Sequence, residues 1–232
     1  MKVAAIVPAL NEEKNVGAVL KVLLSSEDID EVILVDDGSV DHTALIGRKA
    51  GAKIVSLPQK GGSGKGNAMR EGAKATRAEI LVFFDADLVG LKKEHVSLLV
   101  KPVLEGEVVM CVGVRERQWW GKISELSIKI DPLTAIAGER AVKRYVFESI
   151  PFDFIRGFMV ETALNYFCLA NKLPVKYVKL RELDIVIKEK KWGLIKGFSG
   201  RLKMIWQLIK IRAIILKRRK EFIIKNVQKD PS

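Results

Sequence analysis

The 232-residue sequence has no apolar run near the roughly 20 residues that a bilayer-spanning helix needs, so it carries no self-evident transmembrane segment. It holds only two cysteines, Cys111 and Cys168, both in apolar surroundings and without paired spacing. That pattern argues against a disulfide framework and is read as two buried free thiols in a cytoplasmic protein. One lysine and a short apolar stretch open the chain, but Pro8 and the polar Asn11, Glu12, Glu13 and Lys14 follow at once. A first strand is expected there rather than a signal peptide. Internal repeats and low-complexity linkers are also lacking.

Glycine-rich nucleotide signatures are missing in their standard forms. A dinucleotide site wants G-x-G-x-x-G after the first strand, where this chain has the acidic segment PALNEE at 8–13. Carboxylates there would repel a pyrophosphate, which argues against a nicotinamide or flavin enzyme. The stretch KGGSGKGNA at 60–68 fails the phosphate-loop spacing, because position 59 is Gln and position 66 is Gly. Its glycines and Lys65 still allow backbone to approach a ligand beside a positive charge; a plain flexible turn before a helix is the competing reading.

What is present is an ordinary folding composition, 48% apolar and 29% charged, long enough for one sizeable core. The net charge of +12 is concentrated at one end: residues 188–232 hold 14 Lys or Arg against 3 acids, a net of +11, leaving +1 for residues 1–187.

Apolar runs at 2–7, 31–35, 53–57, 80–84 and 108–112 predict strands, and stretches near 12–26, 41–50, 64–76 and 96–104 predict helices, the last broken or bent near Pro102. Uninterrupted apolar strands alternating with helices point to an α/β protein with a mainly parallel sheet covered on both faces. After Val112 a loop is expected over 113–121, with helices at 122–130, 140–146 and 158–169 and a strand at 175–180. One domain is expected over 1–200, with a nucleotide half at 1–112 and an acceptor half at 113–200, followed by a basic extension at 201–232.

Ligand groups in such sheets gather beyond the carboxyl ends of the strands. Asn11-Glu12-Glu13, Asp36-Asp37 and Asp85-Ala86-Asp87 all follow predicted strands and are expected to converge. Two carboxylates in an extended D-x-D segment can hold a hard divalent cation such as Mg or Mn and so neutralise a departing diphosphate. Each piece has a plainer reading: a solvated turn for FFDAD, a turn pair for Asp37-Gly38, and helix-start charges for Glu12 and Glu13.

Taken together and in order, IVPALNEEKNV at 6–16, LVDDGSVDHT at 34–43, GKGNAMREG at 64–72 and FFDAD at 83–87 resemble the successive motifs of family 2 glycosyltransferases of the GT-A fold. The resemblance implies a nucleotide diphosphate sugar as donor and Mg or Mn as cofactor. It places Pro8, Ala9, Glu12 or Glu13, and Asp37 at the nucleoside and Lys65 at the donor side of the pocket. Asp85 would position the nucleotide and Asp87 would ligate the metal. AGERA at 137–141 and GFMVETAL at 157–164 are similar to acceptor-side segments of that family, with Glu161 as the acid beside acceptor and reacting sugar; a helix first-turn charge is its alternative. Residues 171–200 contain no histidine to complete a metal site, which leaves the remaining positions to Asp184, water or diphosphate oxygens.

The resemblance admits acceptors of two kinds. Polyprenyl phosphate or a related membrane lipid is the first expectation, and a soluble phosphorylated small acid such as phosphoglycerate the alternative. Arg140, Arg144, Lys188, Lys190 and Lys191 are candidates for screening an acceptor phosphate. Arg115, Arg117, Trp119 and Trp120 are candidates for a covering loop. Leu202, Ile205, Trp206, Ile209, Ala213 and Leu216 recur at helical spacing ahead of KRRK at 217–220. This predicts an amphipathic helix on an anionic membrane surface at the inner face of the membrane, against the alternative of a helix packed on the domain. A homodimer is left open. A nucleic-acid-binding protein and a nucleotidyltransferase are the competing classes, the first weakened by the near-neutral main body.

Overall fold

The computed structural model describes residues 1–58, 61–115, 138–155, 159–185, 213–215 and 217–223. Strand β1 (Val3–Ala9) leads through helix α1 (Val16–Leu24) to β2 (Glu31–Asp36), then α2 (Thr43–Ala50), β3 (Lys53–Ser56), α3 (Lys65–Lys74) and β4 (Ile80–Phe83). A short β5 (Leu88–Val89), α4 (Lys93–Leu104) and β6 (Met110–Arg115) follow. Then come β7 (Arg140–Lys143), α5 (Arg144–Glu148), α6 (Met159–Ala170), β8 (Val175–Leu180) and β9 (Asp184–Ile185).

The main sheet has seven strands in the order β3-β2-β1-β4-β7-β6-β8, parallel except for β7, which runs antiparallel to both its neighbours. Side chains alternate across the strands. Val3, Ala5 and Val7 of β1 join Leu34 and Val82 on one face, under Val19, Leu20 and Leu23 of α1 and Leu99 and Val103 of α4. Ile6, Ile33, Val35, Leu81 and Phe83 face the other way, onto Met69 of α3, Phe147 of α5 and Leu164 and Phe167 of α6. Both faces are therefore covered, as uninterrupted apolar strands require. Helix α3 lies close on the sheet because Gly72 has no Cβ: one would come within 2.5 Å of Ile6 Cγ2.

Three expectations from the sequence change. Residues 140–146 open as a strand rather than a helix: β7 fills the gap between β4 and β6, pairing Phe83 with Arg140 and Cys111 with Ala141. That inter-strand pairing outweighs the helical tendency of the segment. The supposed loop from Gly113 is strand through Arg115. Pro102 does not end α4, which continues to Leu104. The carbonyl that Pro102 deprives of a helical donor, Leu98 O, accepts instead from the Cys111 thiol at 3.6 Å. Both cysteines are free and buried, and burial pushes each thiol up to about 12.

Among the described residues no helix is long and apolar enough to cross a membrane. Leu202, Ile205, Trp206, Ile209 and Leu216 of the expected surface helix lie outside the described residues, as does Lys188. The part of the tail that is described turns inward. Ile215 and Phe222 are buried in the core, Phe222 edge-on to Phe154 at 4.8 Å and to Tyr166 at 5.3 Å between ring centroids. Asn171 Nδ2 donates to the Phe222 carbonyl at 2.6 Å, and Arg218 lies 4.9 Å over the Phe154 ring while pairing with Asp153 at 3.0 Å. The described tail residues 213–215 and 217–223 thus agree with the alternative of a segment packed on the domain.

Phe222→Ala is expected to cost about 3 to 5 kcal/mol of stability, the usual toll of emptying a buried aromatic site. Alanine at the exposed Lys217 or Lys220 should change stability by less than about 0.5 kcal/mol; urea unfolding midpoints check both.

Candidate functional site

The carboxyl ends of β1, β2, β4 and β6 open onto one cavity of about 560 Å³. Pro8, Ala9, Leu10 and Glu12 line it after β1, Asp37 after β2, Asp85, Ala86 and Asp87 after β4, and Arg115 at the end of β6. Gly61, Gly62, Gly64 and Lys65 close one side, and Ile185 reaches it because β9 pairs with β5 directly after the acidic triplet.

The loop between β1 and α1 is fixed by side chains of the next strand-end loop. Asn11 sits at φ 55, its N–H donating to Ser39 Oγ at 2.9 Å while its Oδ1 accepts from Val40 N–H at 2.9 Å. Glu12 N–H donates to Thr43 Oγ1 at 2.8 Å, leaving the buried Glu12 side chain against the cavity. Glu13, its sequence alternative, faces away: its Oε2 accepts from the His42 N–H at 3.1 Å and lies 3.0 Å from His42 Nδ1. Of the two acids, Glu12 lines the cavity and Glu13 does not.

Asp37 has a structural task that its position as a turn acid did not suggest. Its carboxylate accepts from Ser63 N–H at 2.8 Å, Ser63 Oγ at 2.6 Å and Gly64 N–H at 2.9 Å. These bonds fold the glycine loop over the cavity. Gly62 is at φ 94, and a Cβ there would lie 3.0 Å from Asp37 Oδ2.

Lys65, the first residue of α3, brings distant segments together. Its Nζ is 2.6 Å from Asp85 Oδ1 and 3.1 Å from Glu161 Oε1. Burial opposes the ammonium charge, but the two carboxylates outweigh it and hold Lys65 above the ordinary lysine value. Glu161 in the first turn of α6 is 1% exposed, and its Oε2 is buried without a hydrogen-bond partner among the described residues. The carboxylate therefore belongs to this ion cluster and not to a solvated helix start.

Gly138 makes the cluster sterically allowed. A Cβ there would lie 2.6 Å from Asp85 Oδ2 and 2.8 Å from Lys65 Nζ. Beside it Glu139 is fully buried, its Oε2 3.5 Å from Arg115 Nε. Burial, reinforced by the Asp85 charge, pushes the Glu139 carboxyl up to about 7. Gly138, Glu139 and the direction of Arg115 were missed from the sequence, although AGERA does place an acid directly after two small residues.

Arg140 is corrected as an acceptor contact. It is fully buried in β7, and its Nη1 donates to the Glu161 carbonyl at 3.3 Å and Asn165 Oδ1 at 3.4 Å. It anchors α6 from within, where no substrate reaches it. Arg144 is likewise engaged at the opposite edge of the sheet, donating to the carbonyls of Ala73, Thr76 and Ala78 at the end of α3. Asp184 is exposed on β9, and Arg117, Trp119, Trp120, Lys190 and Lys191 lie outside the described residues.

Hard carboxylate oxygens at Asp87 and Asp85 suit Mg or Mn, with Asp85 Oδ1 already shared with Lys65. Among the described residues no three His, Cys, Asp or Glu side chains form a group that could hold an ion. A divalent cation here would thus take part of its oxygen shell from water and a bound diphosphate.

Two outcomes follow from this geometry. Gly138→Ala should force Lys65 and Asp85 apart, visible as a displaced Lys65 side chain in a crystal structure of the variant. Between pH 4.5 and 7 the native state keeps a proton on Glu139 that the unfolded chain releases, so this group makes stability fall as pH rises through that range. Glu139→Gln should flatten the fall, measured as urea midpoints at a series of pH values.

Comparison with known proteins identifies the family. A family model described as glycosyl transferase family 2 matches residues 4–167. The glucosyl-3-phosphoglycerate synthase of Mycolicibacterium smegmatis is 32% identical over 192 residues, covering 70% of this chain and 62% of that protein. That of Petrotoga mobilis is 27% identical over 257 residues, covering 96% and 74%. The crystal structure of the Mycobacterium tuberculosis glucosyl-3-phosphoglycerate synthase with Mn2+, UDP-glucose and phosphoglyceric acid matches with a TM-score of 0.73 at 26% identity, over 90% of this chain and 79% of that one. The chain thus spans less than two thirds of the length of the M. smegmatis relative. The mainly parallel central sheet matches that of the GT-A enzymes. With the family model matched from the first strand into α6, the chain belongs to glycosyl transferase family 2.

Proposed function

We propose that this chain is a metal-dependent glycosyltransferase that moves glucose from UDP-glucose to a soluble phosphorylated small acid of the phosphoglycerate type. The observation that carries the reading is the cavity in which strand-end acids from β1, β2 and β4 meet Lys65, itself bound to Glu161 of the later half. The likeness to synthases whose structures hold Mn2+, UDP-glucose and phosphoglyceric acid supports this acceptor. Polyprenyl phosphate, the first expectation from the sequence, has no such support among these relatives, and a diffusing acid needs no lipid surface.

On this reading residues 1–112 handle the nucleotide and 113–200 the acceptor, with 201–232 an extension. Pro8, Ala9, Glu12 and Asp37 form the nucleoside side, and Asp37 also holds the glycine loop beside it. Asp87 would hold the cation, with Asp85 beside it fixed by Lys65. Bound there, Mg or Mn supplies the positive charge that a departing diphosphate needs. Lys65 keeps its proton throughout and holds Asp85 and Glu161 in one arrangement. Glu161 lies behind Lys65 with its Oε2 buried and without a hydrogen-bond partner among the described residues; in this reading it would accept from a hydroxyl of the sugar or the acid only once a bound substrate reaches it.

A product-resolved assay with UDP-glucose and Mn2+ should yield glucosylated phosphoglycerate; product on polyprenyl phosphate alone would overturn the acceptor. Chelating the metal should abolish turnover. Asp87→Ala should lower it by at least about 100-fold, as expected for losing one preorganised electrostatic contact.

A further inference from the structure

We infer that Arg115 is the residue that recognises the anionic group of the acceptor, and that Glu139 is the positioning residue that aims it. This rests on the proposed acceptor and deepens it.

The argument begins with strand order. The nucleoside-side residues Pro8, Glu12 and Asp37 sit beyond β1 and β2, and the metal acids beyond the adjacent β4. Arg115 ends β6, separated from β4 by β7, so it stands two strand spacings further along the edge, on the side away from the nucleoside. Two spacings are roughly 10 Å. A donor laid from β2 to β4 places its diphosphate at Asp87, and Arg115 falls beyond it, where an acceptor must enter.

Charge gives the second step. Around this site, among the described residues, stand the acids Glu12, Asp37, Asp85, Asp87, Glu139 and Glu161, with Lys65 and Arg115 as the cations. Such a lining repels an acid that carries both a phosphate and a carboxylate unless a cation is kept for it. Lys65 is committed at 2.6 and 3.1 Å to two carboxylates. Arg115 is not committed in this way. Its Nε pairs with Glu139 at 3.5 Å, too long for a good hydrogen bond, and its Nη1 is buried without a hydrogen-bond partner among the described residues. A guanidinium in that condition is a planar donor set prepared for a carboxylate or phosphate.

Glu139 explains why the guanidinium stays in place. It is fully buried at the start of β7, and its backbone carbonyl accepts from Gly113 N–H at 2.9 Å, two residues before Arg115. Neither carboxylate oxygen has a hydrogen-bond partner among the described residues, so its partner is the Arg115 charge. Burying a carboxylate for a single distant pairing is costly to the fold. The return is a guanidinium held toward the cavity by the Glu139 charge, with Nη1 not engaged by a hydrogen bond among the described residues.

The test is steady-state kinetics with UDP-glucose and Mn2+ saturating and phosphoglycerate varied, beside calorimetric binding of UDP with Mn2+. Arg115→Met should raise the KM for phosphoglycerate roughly ten- to a hundredfold, the worth of a charged hydrogen bond, with UDP affinity within about twofold of wild type. Arg115→Lys should recover part of the loss. Glu139→Gln should raise the same KM, by a smaller factor, with kcat and UDP affinity kept, a split that a merely structural residue would not produce. An unchanged acceptor KM in Arg115→Met, or a loss confined to UDP binding, overturns the inference while leaving the proposed function intact. If the wild-type chain transfers nothing to phosphoglycerate, the acceptor reading fails and the role of Arg115 falls with it.

Discussion

The site depends on one ammonium group between two carboxylates. Lys65 at the start of α3 meets Asp85 from the end of β4 and Glu161 from the first turn of α6, residues brought from 20 and 96 positions away. In water such pairings are worth little. Here the side chains are largely out of water, and removing Lys65 would leave two carboxylates without their counter-charge, so the ammonium holds the other two in register. Gly138 is the steric condition for the arrangement, because any side chain there would occupy the space of the ion pair.

That cluster joins the nucleotide-handling part of the fold to the later part. The β4–β7–β6 pairing does the same at the level of the backbone, since β7 comes from beyond residue 138 yet lies inside the sheet. Its antiparallel direction matters for chemistry. Running backwards, it starts at the edge where its neighbours end, and so delivers Gly138 and Glu139 to the strand-end acids. Arg140 follows as an interior anchor for α6.

Much of the fold was legible because the first half is regular. Apolar runs of strand length alternating with one-sided helices lead to a covered parallel sheet, and acids directly after β1, β2 and β4 must collect at its carboxyl edge. The errors came where local pattern and tertiary demand differ. Residues 140–143 became a strand because two strands needed a partner, which no short-range signal records. The tail left two readings open, a lipid surface or the domain, and its described residues Ile215 and Phe222 lie in an apolar site on the domain.

The sequence by itself determined the fold class, the free state of the cysteines and the convergence of Glu12, Asp37, Asp85 and Asp87, because each follows from periodicity, composition or position after a strand. Only the tertiary structure decided that Glu12 rather than Glu13 lines the cavity, that Asp37 holds the glycine loop, and that Arg140 is buried while Arg115 is presented. For these loop and strand-end residues direction and burial are set by packed neighbours distant in sequence, and the regular spacing that orients helices and strands does not extend to them.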